Sequence, residues 1–349
     1  MPDRIRVDAP GGGYDIHIGS VFSEDGMNLL RVAVGAARCV IVTNPTLRPL
    51  YGEKLAAALP NAALVTMPDG EQYKTMDTIG QLYTEFVQAK LDRAGAVIAL
   101  GGGVVGDTAG FAAATYMRGV RFIQMPTSLL SMVDSSVGGK VGVDLPLGKN
   151  LVGSFKQPDA VFIDPAMLQT LPLREWRCGM AEVIKHGLLA DSRLLDPALW
   201  SPERAPELIR RAVQVKVDVV EADPYEHNIR AHLNLGHTFA HAIEQVSGYA
   251  WPHGEAVGAG LVAAARLSVG EGLAPAALAE QVESLVSEID LPTRIGALDP
   301  AALYAAMATD KKWAGGKSRF VLLRGVGQPL IAEGVSRESV LTVLEGLRA

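Results

Sequence analysis

Ala96-Val97-Ile98-Ala99-Leu100-Gly101-Gly102-Gly103-Val104-Val105-Gly106-Asp107 is the stretch on which the fold turns. An apolar run, a glycine cluster and a second apolar stretch reaching Thr115 predict a buried strand, a tight turn and a helix. Glycines let the backbone approach an anion, and the first amides of the following helix point at it. Gly101, Gly103 and Gly106 meet the G-x-G-x-x-G spacing of a dinucleotide loop. A tight strand-to-helix turn explains the same residues almost as often. The carboxylate that such loops place about 20 residues on is missing, because Phe122-Ile123-Gln124-Met125-Pro126 stands there. A nucleotide ribose would have to be held differently, and the acidic turn Asp69-Gly70-Glu71-Gln72-Tyr73-Lys74 is the candidate.

Outward from this loop the pattern repeats. Tyr14, Ile16 and Ile18 alternate with polar residues as a half-buried strand does. Gly11-Gly12-Gly13 before them is a turn, since no helix follows. Arg38 to Thr43, Ala63 to Met67 and Gly95 to Leu100 read as strands, and Leu47 to Leu59 and Asp77 to Ala89 as helices. This rhythm predicts an α/β domain with a parallel sheet, Rossmann-like in character. After Pro172 the chain turns mainly helical: Glu175 to Leu189, Ala205 to Glu221, Leu233 to Val246, Glu255 to Gly270 and Pro275 to Glu288. Strand signal returns briefly at Arg319 to Leu323. The expected domains are 1–170 and 171–349.

Composition bounds the function. The 349 residues carry a net charge of -6 with no basic block, which argues against a nucleic-acid partner. Two cysteines, Cys39 and Cys178, lack CxxC spacing and suit a reducing compartment. No targeting segment is visible, and the longest apolar stretch, Ala256 to Val269, is too short to span a bilayer and carries Arg266. The expectation is a cytoplasmic enzyme with no membrane partner.

Chemistry concentrates in two places. The chain has seven histidines, and three fall in Leu233-Asn234-Leu235-Gly236-His237-Thr238-Phe239-Ala240-His241 and Trp251-Pro252-His253-Gly254-Glu255. A helix puts His237 and His241 on one face, and a turn brings His253 back beside them. Neutral imidazole is a common ligand for zinc-like ions, so the cluster is a candidate metal site. The second place is Thr127 to Asn150, where Asp134, Lys140, Lys149 and Asn150 sit among Val, Leu and Gly. A solvated loop is the default for any one of these charges. With Lys185, Lys216, Arg230 and Asp310-Lys311-Lys312, however, they suggest a cationic pocket suited to a small polyanion. Glu182 and Lys185 lie one turn apart on an apolar helix.

The runs GGGVVGDTAGFAAATYMRGV (101–120), VDSSVGGK (133–140), PLGKN (146–150), AEVIK (181–185), LNLGHT (233–238) and HGEAV (253–257) resemble those of the 3-dehydroquinate synthase family of sugar-phosphate cyclases. The resemblance extends over nearly the whole chain. It implies a Rossmann-like N-terminal domain, a helical C-terminal domain, an active site between them, and a homodimer. It implies Glu182, His237 and His253 as ligands of a divalent metal, zinc or cobalt. NAD would be held by Asp69, Glu71, Lys74, Gly103, Val104, Val105, Gly106, Asp107, Thr127, Ser128, Lys140 and Lys149, and by Met167, Leu168, Gln169 and Thr170. Substrate residues map onto Asp134, Lys140, Asn150, Lys185, Lys216, Arg230, Asn234, His241 and Lys311. Arg118 matches an arginine that reaches the partner subunit's phosphate pocket.

The implied substrate is a seven-carbon keto acid phosphate. The implied chemistry is transient oxidation by NAD, phosphate elimination, re-reduction, ring opening and aldol closure. The sequence departs from the family pattern at Ser128, His186, Pro224-Tyr225 and Ala240, and none of these departures removes an implied ligand. Two enzyme alternatives share the architecture. Iron-type alcohol or glycerol(-phosphate) dehydrogenases usually place aspartate at Glu182 and lack the Lys140, Lys149–Asn150 and Arg230–Asn234 set. Sister cyclases make inososes, valiolones or amino-dehydroquinate; Lys216, Arg230, Asn234 and His241 together favour a carboxylate-bearing substrate, which the amino analogue also is. A non-catalytic binding protein on this fold would have lost a ligand or lysine, and none is lost.

Overall fold

The computed structural model describes residues 2–308 and 318–348. The chain forms two compact units, Met1–Leu171 and Pro172–Ala349.

The first unit runs β1 (Asp3–Val7), β2 (Tyr14–Ile18), α1 (Glu24–Val34), β3 (Cys39–Thr43), α2 (Glu53–Ala58), β4 (Ala62–Thr66) and α3 (Met76–Gln88). It continues with β5 (Ala96–Gly101), α4 (Gly103–Thr115), β6 (Arg121–Pro126), β7 (Lys140–Leu145), β8 (Gly148–Phe155) and β9 (Ala160–Ile163). Seven strands form one sheet in the order β1-β2-β9-β6-β5-β3-β4. All neighbours are parallel except β1 on β2. Every residue of β3, β5 and β9 is buried, as a parallel sheet covered on both faces requires. Helix starts follow side-chain caps: Ser23 accepts from the Gly26 amide and Thr75 from that of Thr78.

Chain order reverses between β3 and β5, because β4 lies outside β3 while β6 lies beyond β5. Ligands of open α/β sheets bind at such switch points, outside the carboxyl ends of the strands. The glycine turn 101–103 stands at that place, and Thr43 Oγ1 ties β3 to the Leu100 carbonyl at 2.9 Å.

Several elements differ from the sequence expectation. The polar stretch is ordered: β7 and β8 pair as an antiparallel hairpin with an irregularity between Val143 and Leu145. Its interspersed charges hide the alternation. The stretch 47–59 is a π-type turn over Arg48–Gly52 leading into a shorter α2. The expected helix from Leu233 is interrupted by Gly236, whose φ of 78° begins a new helix at His237.

The second unit is α5 (Leu173–Leu189), α6 (Ala205–Ala222), α7 (His237–Val246), α8 (His253–Gly270), α9 (Ala276–Glu288), α10 (Pro300–Ala308), β10 (Arg319–Leu323), β11 (Pro329–Glu333) and α11 (Arg337–Glu345). β11 pairs antiparallel with β10, a partner the sequence pattern does not announce. α8 is apolar nearly all round and buried along its length, as a central helix must be. Its small residues admit neighbouring backbones. A Cβ on Gly254 would strike the Cα of Cys178 on α5, and one on Gly260 would strike the carbonyl oxygen of Gly236.

Gly260→Ala therefore sets a helix-propensity gain of at most about 1 kcal/mol against a backbone collision that no rotamer relieves. The collision wins, and we expect a net loss of about 1–3 kcal/mol, read as a lower urea midpoint. An unchanged midpoint would contradict this packing.

Candidate functional site

In the first unit the glycine turn delivers α4 with Gly102 as its N-cap and no side-chain cap on the first amides. These amides are open to an anion at the switch point. Gly106 is a close-approach position, since a Cβ there would stand 2.9 Å from Gln124 Oε1. Thr127 is buried with its amide on the Gly101 carbonyl at 3.1 Å, and Ser128 shares hydrogen bonds with Ser131.

A charged cluster stands near this turn. Lys74, only 4% exposed, donates to Asp107 Oδ2 and Asn150 Oδ1, each at 2.6 Å. Burial alone would lower the Lys74 pKa; Asp107, Glu71 and Asp144 outweigh that and raise it, so the ammonium stays charged. Asp144 accepts from the Asn150 amide at 2.7 Å, and its own amide binds the Lys74 carbonyl at 2.8 Å. Lys149 Nζ lies 3.5 Å from Glu71 Oε1, and Thr46 donates to Asp69 at 3.2 Å. The acidic turn and the β7–β8 hairpin are thus one network. Asn150, mapped to the substrate, sits here among residues mapped to NAD. Tyr51 hydroxyl meets Thr170 Oγ1 at 2.7 Å and the Met167 carbonyl at 3.3 Å; Leu168 and Gln169 lie in the same 3-10 turn. Asp134 is half-buried, whereas Lys140 and Arg118 are exposed.

In the second unit three helices converge on one carboxylate. Glu182, on α5, has no solvent exposure. His237 and His253 are the first residues of α7 and α8. Their Nε2 atoms stand 3.5 and 3.4 Å from Glu182 Oε1. Ligand atoms of a tetrahedral zinc-like ion at about 2.0–2.2 Å stand roughly 3.3–3.6 Å apart. The three side chains therefore fit one divalent ion. His237 Nδ1 meets the Leu235 carbonyl at 3.0 Å, which leaves Nε2 as the donor atom.

Charges support the fit. Burial, reinforced by Lys185, lowers the His237 pKa to about 4, so the ring is neutral. Burial would push the Glu182 carboxyl up, but Lys185 and His237 hold it well below the ordinary range. Burial opposes charge on His253, yet Glu182 and Glu244 raise its pKa to about 10. An ion there would displace that proton. His241 shares the face of His237, with ring centroids 5.7 Å apart, but is exposed.

Lys185, Lys216 and Arg230 are 1%, 7% and 2% exposed, so the surface default fails for all three. Lys185 pairs with Glu182. Lys311 lies outside the described residues. Arg230 and Asn234 follow a loop organised by Asp223, which the sequence pattern did not single out. Its carboxylate accepts from the amides of His227 at 2.9 Å, Asn228 at 2.6 Å and Arg230 at 3.1 Å. The Arg230 guanidinium donates to the Pro224 carbonyl, and Asn234 donates to Glu226 at 2.8 Å. Glu244 was also missed. Its spacing from His237 and His241 on α7 was the available signal.

Residues 64–178 match the family described as 3-dehydroquinate synthase N-terminal, and residues 179–313 match 3-dehydroquinate synthase C-terminal. The 3-dehydroquinate synthase of Bordetella pertussis strain Tohama I is 45% identical over 361 residues, covering 98% of this chain and 99% of that one. Among solved structures, ValA (2-epi-5-epi-valiolone synthase) of Streptomyces hygroscopicus subsp. jinggangensis 5008, with NAD+ and Zn2+ bound, is similar at TM-score 0.89 and 30% identity. It covers 98% of this chain and 99% of its own. A 2-deoxy-scyllo-inosose synthase complexed with carbaglucose-6-phosphate, NAD+ and Co2+ is similar at TM-score 0.88 and 25% identity, over 99% and 100% of the two chains.

The Asp223 hub carries a pH signature. Burial would raise its pKa, but the three amides hold it below the ordinary value. Its contribution to stability is then complete above the unfolded carboxylate pKa of about 4 and is lost as pH falls through the lower folded value. Asp223→Asn should be less stable than the parent at pH 7 and converge with it in acid. Hydrogen exchange at the His227, Asn228 and Arg230 amides should quicken at neutral pH; unchanged exchange would refute the hub.

Proposed function

The chain belongs to the 3-dehydroquinate synthase family, and we propose that it converts 3-deoxy-D-arabino-heptulosonate 7-phosphate to 3-dehydroquinate and inorganic phosphate. This is a carbon–oxygen lyase reaction of the shikimate pathway, on the way to aromatic amino acids. The cofactors are NAD and a divalent ion, zinc or cobalt. When bound, NAD offers a reversible hydride acceptor and the ion a Lewis acid toward a hydroxyl. The observation that carries the reading is the Glu182–His237–His253 group, a buried carboxylate met by two imidazoles from two further helices at ligand spacing, beside the Lys185 ammonium.

The chain's own residues take the following roles. Glu182, His237 and His253 hold the ion. The first turn of α4, Gly103 to Asp107, meets the NAD pyrophosphate with its amides. Asp69, Glu71, Lys74, Thr127, Ser128, Lys140, Lys149 and the turn Met167–Thr170 hold the rest of NAD. Lys185, Lys216 and Arg230 neutralise a substrate that carries both carboxylate and phosphate. Asn234 and His241 orient it by hydrogen bonds, with Asp134, Asn150, Lys140 and Lys311. Burial of Lys185, Lys216 and Arg230 strengthens their charge interactions. Arg118, exposed after α4, serves the phosphate pocket of a second copy in a homodimer. No helix among the described residues is long and apolar enough to cross a membrane. Both cysteines are free and buried, which supports the cytoplasm as the working compartment.

Supplied with the keto acid phosphate and trace NAD, the protein should release many phosphates per NAD with no lasting NADH absorbance, and a chelator should abolish turnover. Stoichiometric NADH from glycerol or its phosphate would favour the dehydrogenase instead. Glu182→Ala should lose bound metal; full occupancy in that variant would refute the ligand set.

A further inference from the structure

Glu244 is an acidic side chain where local physics disfavours one. It lies in the last turn of α7, where the helix dipole favours cations, and it is 2% exposed. A buried carboxylate needs a donor or cation to offset its lost hydration. His253 faces it: Nδ1 of that ring stands 3.5 Å from Glu244 Oε1, while Nε2 faces Glu182.

The two histidines of the site are restrained unequally. His237 is 10% exposed in its side chain and meets the Leu235 carbonyl through Nδ1. His253 is 34% exposed and opens α8 directly after Pro252, so packing confines it less. What the Leu235 carbonyl does for one ring, a carboxylate from α7 is placed to do for the other.

We propose that Glu244 is a positioning residue for His253: its carboxylate accepts the Nδ1–H of the ring, keeps the Nε2 lone pair facing Glu182 and His237, and so strengthens divalent-ion binding. Second-sphere carboxylates of this kind fix the imidazole tautomer and raise its basicity. The proposal rests on the reading of Glu182, His237 and His253 as metal ligands. It assigns Glu244 no contact with substrate.

The test uses the full chain stripped by chelator and titrated with Zn2+ or Co2+ alone, comparing the parent with Glu244→Ala, Glu244→Gln and Glu182→Ala. Glu244→Ala should bind about 10–100-fold more weakly, with an altered Co2+ visible spectrum, while the metal-free Tm stays close to the parent's. Glu244→Gln keeps the volume and an acceptor but not the charge, so it should fall between; if the alanine variant does not fold, the glutamine variant decides. Affinities within twofold of the parent in the Glu244 variants, with binding lost in Glu182→Ala, would overturn the proposal and leave the ligand set standing. A parent that binds neither ion, or a Glu182→Ala variant that binds normally, would overturn the ligand set and the proposal with it.

Discussion

A carboxylate withdrawn entirely from water, Glu182 on α5, is the constraint around which the second unit is arranged. Such a group costs several kcal/mol unless its oxygens face cations or ligand partners. One turn of α5 supplies the Lys185 ammonium, and the starts of α7 and α8 supply two imidazoles. Both helices must begin at their histidines for this to work. Gly236 in the left-handed region turns the chain so that α7 opens at His237, and Pro252 precedes α8 at His253. The small residues of α8 then matter chemically, because Gly254 against Cys178 and Gly260 against Gly236 set how near the helices approach.

The first unit holds its charges by a related device. Lys74 is removed from water but kept charged by Asp107, while Asn150 and Asp144 link the acidic turn to the β7–β8 hairpin. This network lies near the open amides of α4 at the sheet's switch point. Backbone dipoles there are available to an anionic group, whereas the neighbouring carboxylates Asp69 and Glu71 suit hydroxyls. A dinucleotide presents both kinds of group. β6 carries no acid, whereas Asp69 and Glu71 follow β4, on the other side of the reversal in strand order.

Legibility differed among elements for local reasons. β3 and β5 were readable because strands buried on both faces are apolar without interruption. The β7–β8 hairpin was not, since charges punctuate it and hide the period of two. α7 was extended too far back, because helical periodicity in Leu233–Leu235 runs up to a glycine whose positive φ only the folded chain displays. Lys185, Lys216 and Arg230 each look like surface residues by type. Their burial follows from neighbours on other elements, which no single window of sequence contains. Glu244 and Asp223 escaped for the same reason: one faces a ring from another helix, and the other gathers amides of a loop with no recognisable pattern.

By itself the sequence determined the alternation of strands and helices, the glycine turn and the short motifs that carry Glu182, His237 and His253. Those depend on spacing within one element, and helix or strand geometry translates such spacing directly into a shared face. Only the tertiary structure decided that the His237 and His253 rings meet the buried Glu182 carboxylate at 3.5 and 3.4 Å, that Asn150 joins the Lys74 network, and that Glu244 stands behind His253. Those relations join residues far apart in the chain. They are set by how closely helices and strands pack, and by the demand that each buried charge find a partner there.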